Sequence, residues 1–194
     1  MSFLSPFPFF MYKHPDQRVG IFIDTQNMYH SARHLFKRRV NFQNIFTDAI
    51  ADRKIIRAIA YVIRTKTEEE QPFFEALTKI GIELQEKELI EFFSGAKKAD
   101  WDVGLAIDVV RMVDMLDVIV LVTGDGDFCP LVEYVQSRGR IVELISFKET
   151  TNAKLLETVD ASIDLSANKQ RYMIGFSRSA TNPKQKQRTT RREH

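Results

Sequence analysis

Val118-Ile-Val-Leu-Val122 is an unbroken apolar run that stops abruptly at Thr-Gly-Asp-Gly-Asp127. Aliphatic residues without polar alternation fit a strand buried on both faces, as in the middle of a parallel sheet. Ligands of open α/β sheets bind beyond the carboxyl ends of such strands. Asp125 and Asp127 sit at that edge, interleaved with Gly124 and Gly126. Two carboxylates on a turn free of bulky side chains point to a hard cation and a phosphate ester.

The rest of the chain repeats the pattern. Arg18–Asp24 reads as a first strand, again ending in a carboxylate, and Asn27 to about Arg39 as a helix. A short helix over 41–52, a strand over 55–63 and a helix over 68–79, stopped by Gly81, follow. Residues 82–89 form a charged third strand. Asp102 opens an apolar helix reaching about Leu116, and a helix from about Phe128 to Arg138 is ended by Gly139. A strand over 140–145, a short helix near 151–158 and a closing strand over 162–165 complete the series. Strands alternating with helices predict an α/β fold with a mainly parallel sheet and right-handed crossovers. The expected organisation is an irregular aromatic arm over 1–17, one domain over 18–165 and a basic, disordered tail over 166–194.

Charge is unevenly distributed. From Lys169 onward eight Lys or Arg stand against one acid, whereas residues 1–168 carry 20 basic and 25 acidic side chains. A basic tail on an acidic body fits a nucleic-acid partner, and equally a solvated end that aids solubility. No stretch approaches the roughly 20 apolar residues of a membrane span. The N-terminus lacks an early positive charge and contains Pro6 and Pro8, so no signal peptide is expected. The single cysteine, Cys129, excludes an internal disulfide and predicts a reducing, cytoplasmic location. All four histidines are distant from it in sequence, so Cys129 reads as packing rather than as a nucleophile.

Three segments deliver acids to one edge of the expected sheet: Asp24 after the first strand, Asp100 and Asp102 before the 118–122 strand, and Asp125 and Asp127 after it. Clustered carboxylates repel unless a cation joins them, and Mg²⁺ or Mn²⁺ suits an oxygen-only set. Singly, each acid also fits a simpler role: Asp102 and Asp127 as helix caps, Asp24 as a turn residue. Asn27 fits an N-cap, or an amide that orients a carboxylate or a phosphate. Asp108 lies about 240° around the helix from Asp102 and has Arg111 at i+3 for a local ion pair. Lys97 and Lys98 suit an anionic substrate or an ordinary loop. The sequence lacks Gly-x-x-x-x-Gly-Lys-Ser/Thr, Gly-x-Gly-x-x-Gly and Gly-x-Ser-x-Gly, and Asp24 is followed by Thr25 and Gln26, unlike a haloacid-dehalogenase phosphatase.

Val19-Gly-Ile-Phe-Ile-Asp24-Thr-Gln-Asn27, Lys98-Ala-Asp-Trp-Asp102-Val-Gly-Leu-Ala-Ile-Asp108 and Leu121-Val-Thr-Gly-Asp125-Gly-Asp127-Phe-Cys-Pro-Leu131 together resemble the NYN domain, in the LabA-like branch of the PIN-like nuclease superfamily. The resemblance covers roughly residues 18–165. It implies a Rossmann-like α/β/α sandwich and a metal-dependent ribonuclease site. Asp24, Asn27, Asp102, Asp125 and Asp127 fall on the family's acidic-site positions, and Asp108 on a further recurrent acid. Ala99 replaces a common glycine and Asp100 is an additional acid; of the two neighbours Asp102 is taken as the principal ligand. The expected activity is hydrolysis of RNA phosphodiester bonds at Mg²⁺ or Mn²⁺ held by Asp24, Asp102, Asp125 and Asp127, with Lys98 at the substrate phosphate. The partner is RNA and not a membrane, with room left for a homo-oligomer. The alternatives are a non-catalytic RNA-binding regulator of the same fold and a phosphatase for small substrates.

Overall fold

The computed structural model describes residues 13–65, 69–91, 97–98 and 101–175. Six strands, β1 (Arg18–Asp24), β2 (Lys54–Arg64), β3 (Glu83–Glu88), β4 (Val118–Val122), β5 (Ile141–Ser146) and β6 (Ala161–Asp164), form one sheet in the order β3-β2-β1-β4-β5-β6. Every pairing in it is parallel. The chain therefore builds outward from β1 in one direction, then restarts at β4 and builds in the other. β1 and β4 are neighbours from which the connections diverge, leaving a crevice at their carboxyl ends.

Helices cover both faces. α1 (Thr25–Phe36), α2 (Phe42–Ile50) and α3 (Gln71–Lys79) pack on one, and α4 (Asp102–Met112), α5 (Cys129–Ser137) and α6 (Ala153–Thr158) on the other. Alternate residues of one strand serve the two layers. Val118, Val120 and Val122 belong to the layer of Met28, Ala32 and Ile45, while Ile119 and Leu121 belong to that of Leu105, Val109 and Val132. That double burial is why β4 shows no polar alternation. Cys129 is a buried member of the second layer, as the packing reading held. Among the described residues no helix is long and apolar enough to cross a membrane.

Two expectations shift. α1 begins at Thr25, two residues earlier than predicted, because Asp24 caps it. The segment after 165 is not disordered as far as Gly175. Leu165–Asn168 forms a 3-10 turn, α7 spans Lys169–Tyr172, and Met173–Ile174 pairs antiparallel with Arg39–Val40. Tyr172 and Met173 enter the first core layer, and Asp48 accepts hydrogen bonds from the Arg171 guanidinium and the Tyr172 hydroxyl. Two buried side chains and a bidentate ion pair are enough to order a segment whose composition is otherwise polar. Most of the predicted arm (1–12) and of the basic tail (176–194) lies outside the described residues, as does Asp100.

Candidate metal centre

The crevice between β1 and β4 collects the acids. Asp24 is the last residue of β1, and its Oδ1 accepts the Asn27 backbone N–H at 3.0 Å, capping α1. Its Oδ2 accepts from the Thr123 hydroxyl at 3.2 Å, one residue past β4. Thr123 Oγ1 in turn accepts the Asp125 N–H at 3.2 Å, and Asp125 Oδ1 accepts the Asp127 N–H at 3.0 Å. This relay of hydrogen bonds, the first of them joining the end of β1 to the turn after β4, holds both carboxylates of the turn at the crevice. Asp102 reaches the same place as the first residue of α4. One carboxylate oxygen each from Asp102, Asp125 and Asp127 lies within 4.8 Å of the other two. Asp24 stands beside this trio. Burial raises its pKa, and the negative charges of Asp102 and Asp125 add to the effect, against the hydrogen bonds from Asn27 and Thr123.

These donors fit a hard divalent cation. All are carboxylate oxygens, and Asp24, Asp125 and Asp127 have no ion-pair partner among the described residues. With no His or Cys in the group, the chemistry of Mg²⁺ or Mn²⁺ matches better than that of zinc.

Comparison with known proteins identifies the family. The model of the NYN domain matches residues 18–166. The chain belongs to the NYN domain family. Its sequence is 27% identical over 158 residues to the Low amplitude and bright protein LabA of Synechococcus elongatus, covering 76% of this chain and 83% of that one. A crystal structure of a Vibrio parahaemolyticus protein of unknown function superposes with a TM-score of 0.75 at 26% identity, covering 84% of this chain and all of the other. The sheet, its helices and these relatives make this a LabA-like NYN domain with the PIN-like nuclease fold.

Within this NYN domain the sequence-predicted residues divide into those at the crevice and those apart from it. Asp24 is a cap rather than the turn residue of its simpler reading, and it also faces the acids. Asp125, rather than Asp127, caps the turn that follows β4, and the N-cap position of α4 is Trp101, with Asp102 the first helical residue. Asn27 is not the N-cap. Its backbone N–H orients Asp24, and its side-chain Oδ1 accepts the Gly124 N–H at 2.9 Å, so its amide braces the turn. Asp108 is apart from the acidic group. Its Oδ2 accepts from the Tyr61 hydroxyl at 3.0 Å, and Arg111 lies 3.5 Å from its Oδ1. Burial and the neighbouring Asp108 push the Tyr61 phenol up, which keeps it a donor. Lys98 sits in a two-residue ribbon, Lys97–Lys98 against Ile90–Glu91.

Three positioning residues escaped the sequence reading. Trp101 donates its indole N–H to Val62 O at 2.9 Å and packs its ring 5.4 Å from that of Tyr61. This docks the start of α4 against the end of β2 and thereby sets Asp102. Gly104 leaves the room: a Cβ there would stand 2.6 Å from the Trp101 ring. Thr123 carries the relay described above. Asn152 caps α6 and donates its backbone N–H to Gly124 O at 3.0 Å, and a Cβ on Gly126 would collide with its side chain. The spacing Trp-Asp-x-Gly was a visible signal for the first of these. The other two depend on contacts between distant segments.

Proposed function

We propose that this protein is a ribonuclease dependent on Mg²⁺ or Mn²⁺, cutting RNA phosphodiester bonds at the β1–β4 crevice. The observation that carries the reading is the meeting of Asp102, Asp125 and Asp127 within 4.8 Å, with Asp24 alongside. Asp102, Asp125 and Asp127 would hold the cation, with Asp24 completing the set. A bound divalent ion activates water and offsets the charge of a phosphoryl group in line displacement. The protein's own part is to hold the carboxylates in place before substrate arrives. Thr123, Asn27 and the Asp125 cap lock the turn, and Trp101 locks Asp102. Burial raises the pKa of Asp24, and a cation held at the crevice would favour its ionised form. Lys98 is assigned to the substrate phosphate, and the basic residues beyond 175 to sequence-independent attraction for RNA. NYN domains are generally associated with nucleic acid, which favours a polymer over a small phosphate ester.

The test is purified protein with labelled single-stranded RNA in Mn²⁺, Mg²⁺ or chelator, beside the Asp125→Asn/Asp127→Asn double variant. Metal-dependent cutting that the double variant loses supports the proposal. Cutting by the double variant at the wild-type rate overturns it. Binding without cutting in any metal assigns the protein to non-catalytic RNA recognition, and turnover of an aryl phosphate in place of RNA assigns it to small-ester hydrolysis.

A further inference from the structure

α1 begins at the crevice, one residue after Asp24, and its outward face differs from every other long helix of the domain. From Thr25 to Thr47 the sequence contains no Asp or Glu, but four Lys or Arg, at 33, 37, 38 and 39. Helices α2 to α6 each carry at least one acid. His30, Arg33 and Lys37, the last being the C-cap, recur at helical spacing and are all exposed, so they form one stripe. Tyr29 and His34 flank it. Tyr29 is 50% exposed, with its ring edge-on to that of His30 at 5.4 Å between centroids. Arg33 and Arg39 have no ion-pair partner among the described residues.

The stripe is continuous with a second basic element. Lys169 of α7 places its ammonium 4.6 Å over the Phe36 ring, at the last residue of α1. Arg39 pairs with Ile174, and the chain leaves that ribbon at Gly175. Beyond it residues 176–194 hold six Lys or Arg and one acid. Arg33, Lys37 and Arg39, with no ion pair among the described residues and set along and just past a helix of about 18 Å on a body that is otherwise acidic, suit a run of phosphates. An exposed tyrosine among them suits an unpaired base, since aromatic rings stack on bases of any identity.

We infer that the outer face of α1 is a binding track for single-stranded RNA, running from the crevice toward Arg39, with Tyr29 stacking a base and Arg33 and Lys37 contacting phosphates. The inference rests on the nuclease reading for the choice of RNA, and its test does not depend on cleavage. Binding of a labelled oligo-uridine is measured in chelator over a range of salt concentrations. Arg33→Ala/Lys37→Ala lowers the slope of log affinity against log salt by about 1.4, the contribution of two phosphate contacts to a single strand. Tyr29→Ala weakens binding by about tenfold and Tyr29→Phe restores it. Lys79→Ala on α3, outside the stripe, keeps wild-type affinity. Unchanged affinity and slope in the α1 variants overturn the track, as does an equal loss for fully paired RNA. The same is true of α1 variants that lose binding to phosphatidylserine vesicles while keeping RNA affinity. Failure of the nuclease reading has a separate signature: wild-type protein that binds oligo-uridine but does not cut it in Mn²⁺.

Discussion

The two ends of the β1–β4 pair carry acids of opposite circumstance. At the amino end Asp117, just before β4, accepts from the backbone N–H, Nε and Nη2 of Arg18, the first residue of β1, at 2.8, 3.0 and 2.7 Å. Nearby, the buried Glu143 forms a bidentate pair with Arg53 at 2.7 and 2.9 Å. At the carboxyl end of the same two strands, Asp24 and Asp125 share a crevice with Asp102 and Asp127. There the partners of Asp24 and Asp125 are backbone amides and a hydroxyl. Where acids serve the fold, the chain supplies a guanidinium at bonding distance. Where it gathers carboxylates around amide donors instead, the donor set suits a divalent cation.

Perturbing each end separates the two cases. The largest effect is expected at the carboxyl end: Asp125→Asn/Asp127→Asn lowers RNA cleavage on the order of a thousandfold, with circular dichroism unchanged. At the amino end the loss is in stability. Arg53→Ala leaves the buried Glu143 paired, among the described residues, only with Lys13 at 3.6 Å and costs up to about 3–5 kcal/mol, read from denaturant unfolding, whereas Arg53→Met/Glu143→Leu recovers most of it. Metal distinguishes the ends next. At a hundred times its dissociation constant Mn²⁺ stabilises the wild type by about 2.7 kcal/mol, seen as a raised Tm that the Asp125/Asp127 double variant lacks. A wild-type Tm indifferent to Mn²⁺ would erase the contrast.

The smallest effect belongs to Asp117. The Arg18 guanidinium holds its carboxyl down to about 2, from an ordinary 3.8. A depressed folded-state value gives stability that is complete above the unfolded value, declines as pH falls between the two, and is gone below about 2. Asp117 is about a third exposed, so solvent screening limits the pair to about 1 kcal/mol. Asp117→Asn therefore lowers stability by about that much at neutral pH, and the gap to wild type closes in acid.

How far the sequence disclosed this arrangement depends on how local its causes are. β4 is plain because both of its faces are buried, and Asp24, Asp125 and Asp127 are plain because each lies at or a few residues past the carboxyl end of a strand. β3 is charged for a physical reason: as an edge strand that pairs, among the described residues, with β2 alone, it leaves Glu83, Glu86, Lys87 and Glu88 exposed. The order of Tyr172 and Met173 was hidden because their partners, Asp48 and Val40, lie more than a hundred residues earlier. Asn27 was noticed for its amide, but its real partner, the Gly124 N–H, is 97 residues away. The basic face of α1 was present in the sequence as an acid-free stretch, yet only the helix makes it a stripe.

The neighbourhood of β1 and β4 also has a kinetic consequence. Val19 pairs with Val118 across 99 residues, and the crevice does not exist until that pairing forms. Joining segments so far apart meets its entropic cost before most rewarding contacts are in place, and parallel pairings of this kind are slow to form. The acids are thus scattered along the nascent chain and meet only in the final topology. A fragment ending before β4 has Asp24 and Asp102 without Asp125 or Asp127, so metal affinity should appear late in refolding, with the central pairing.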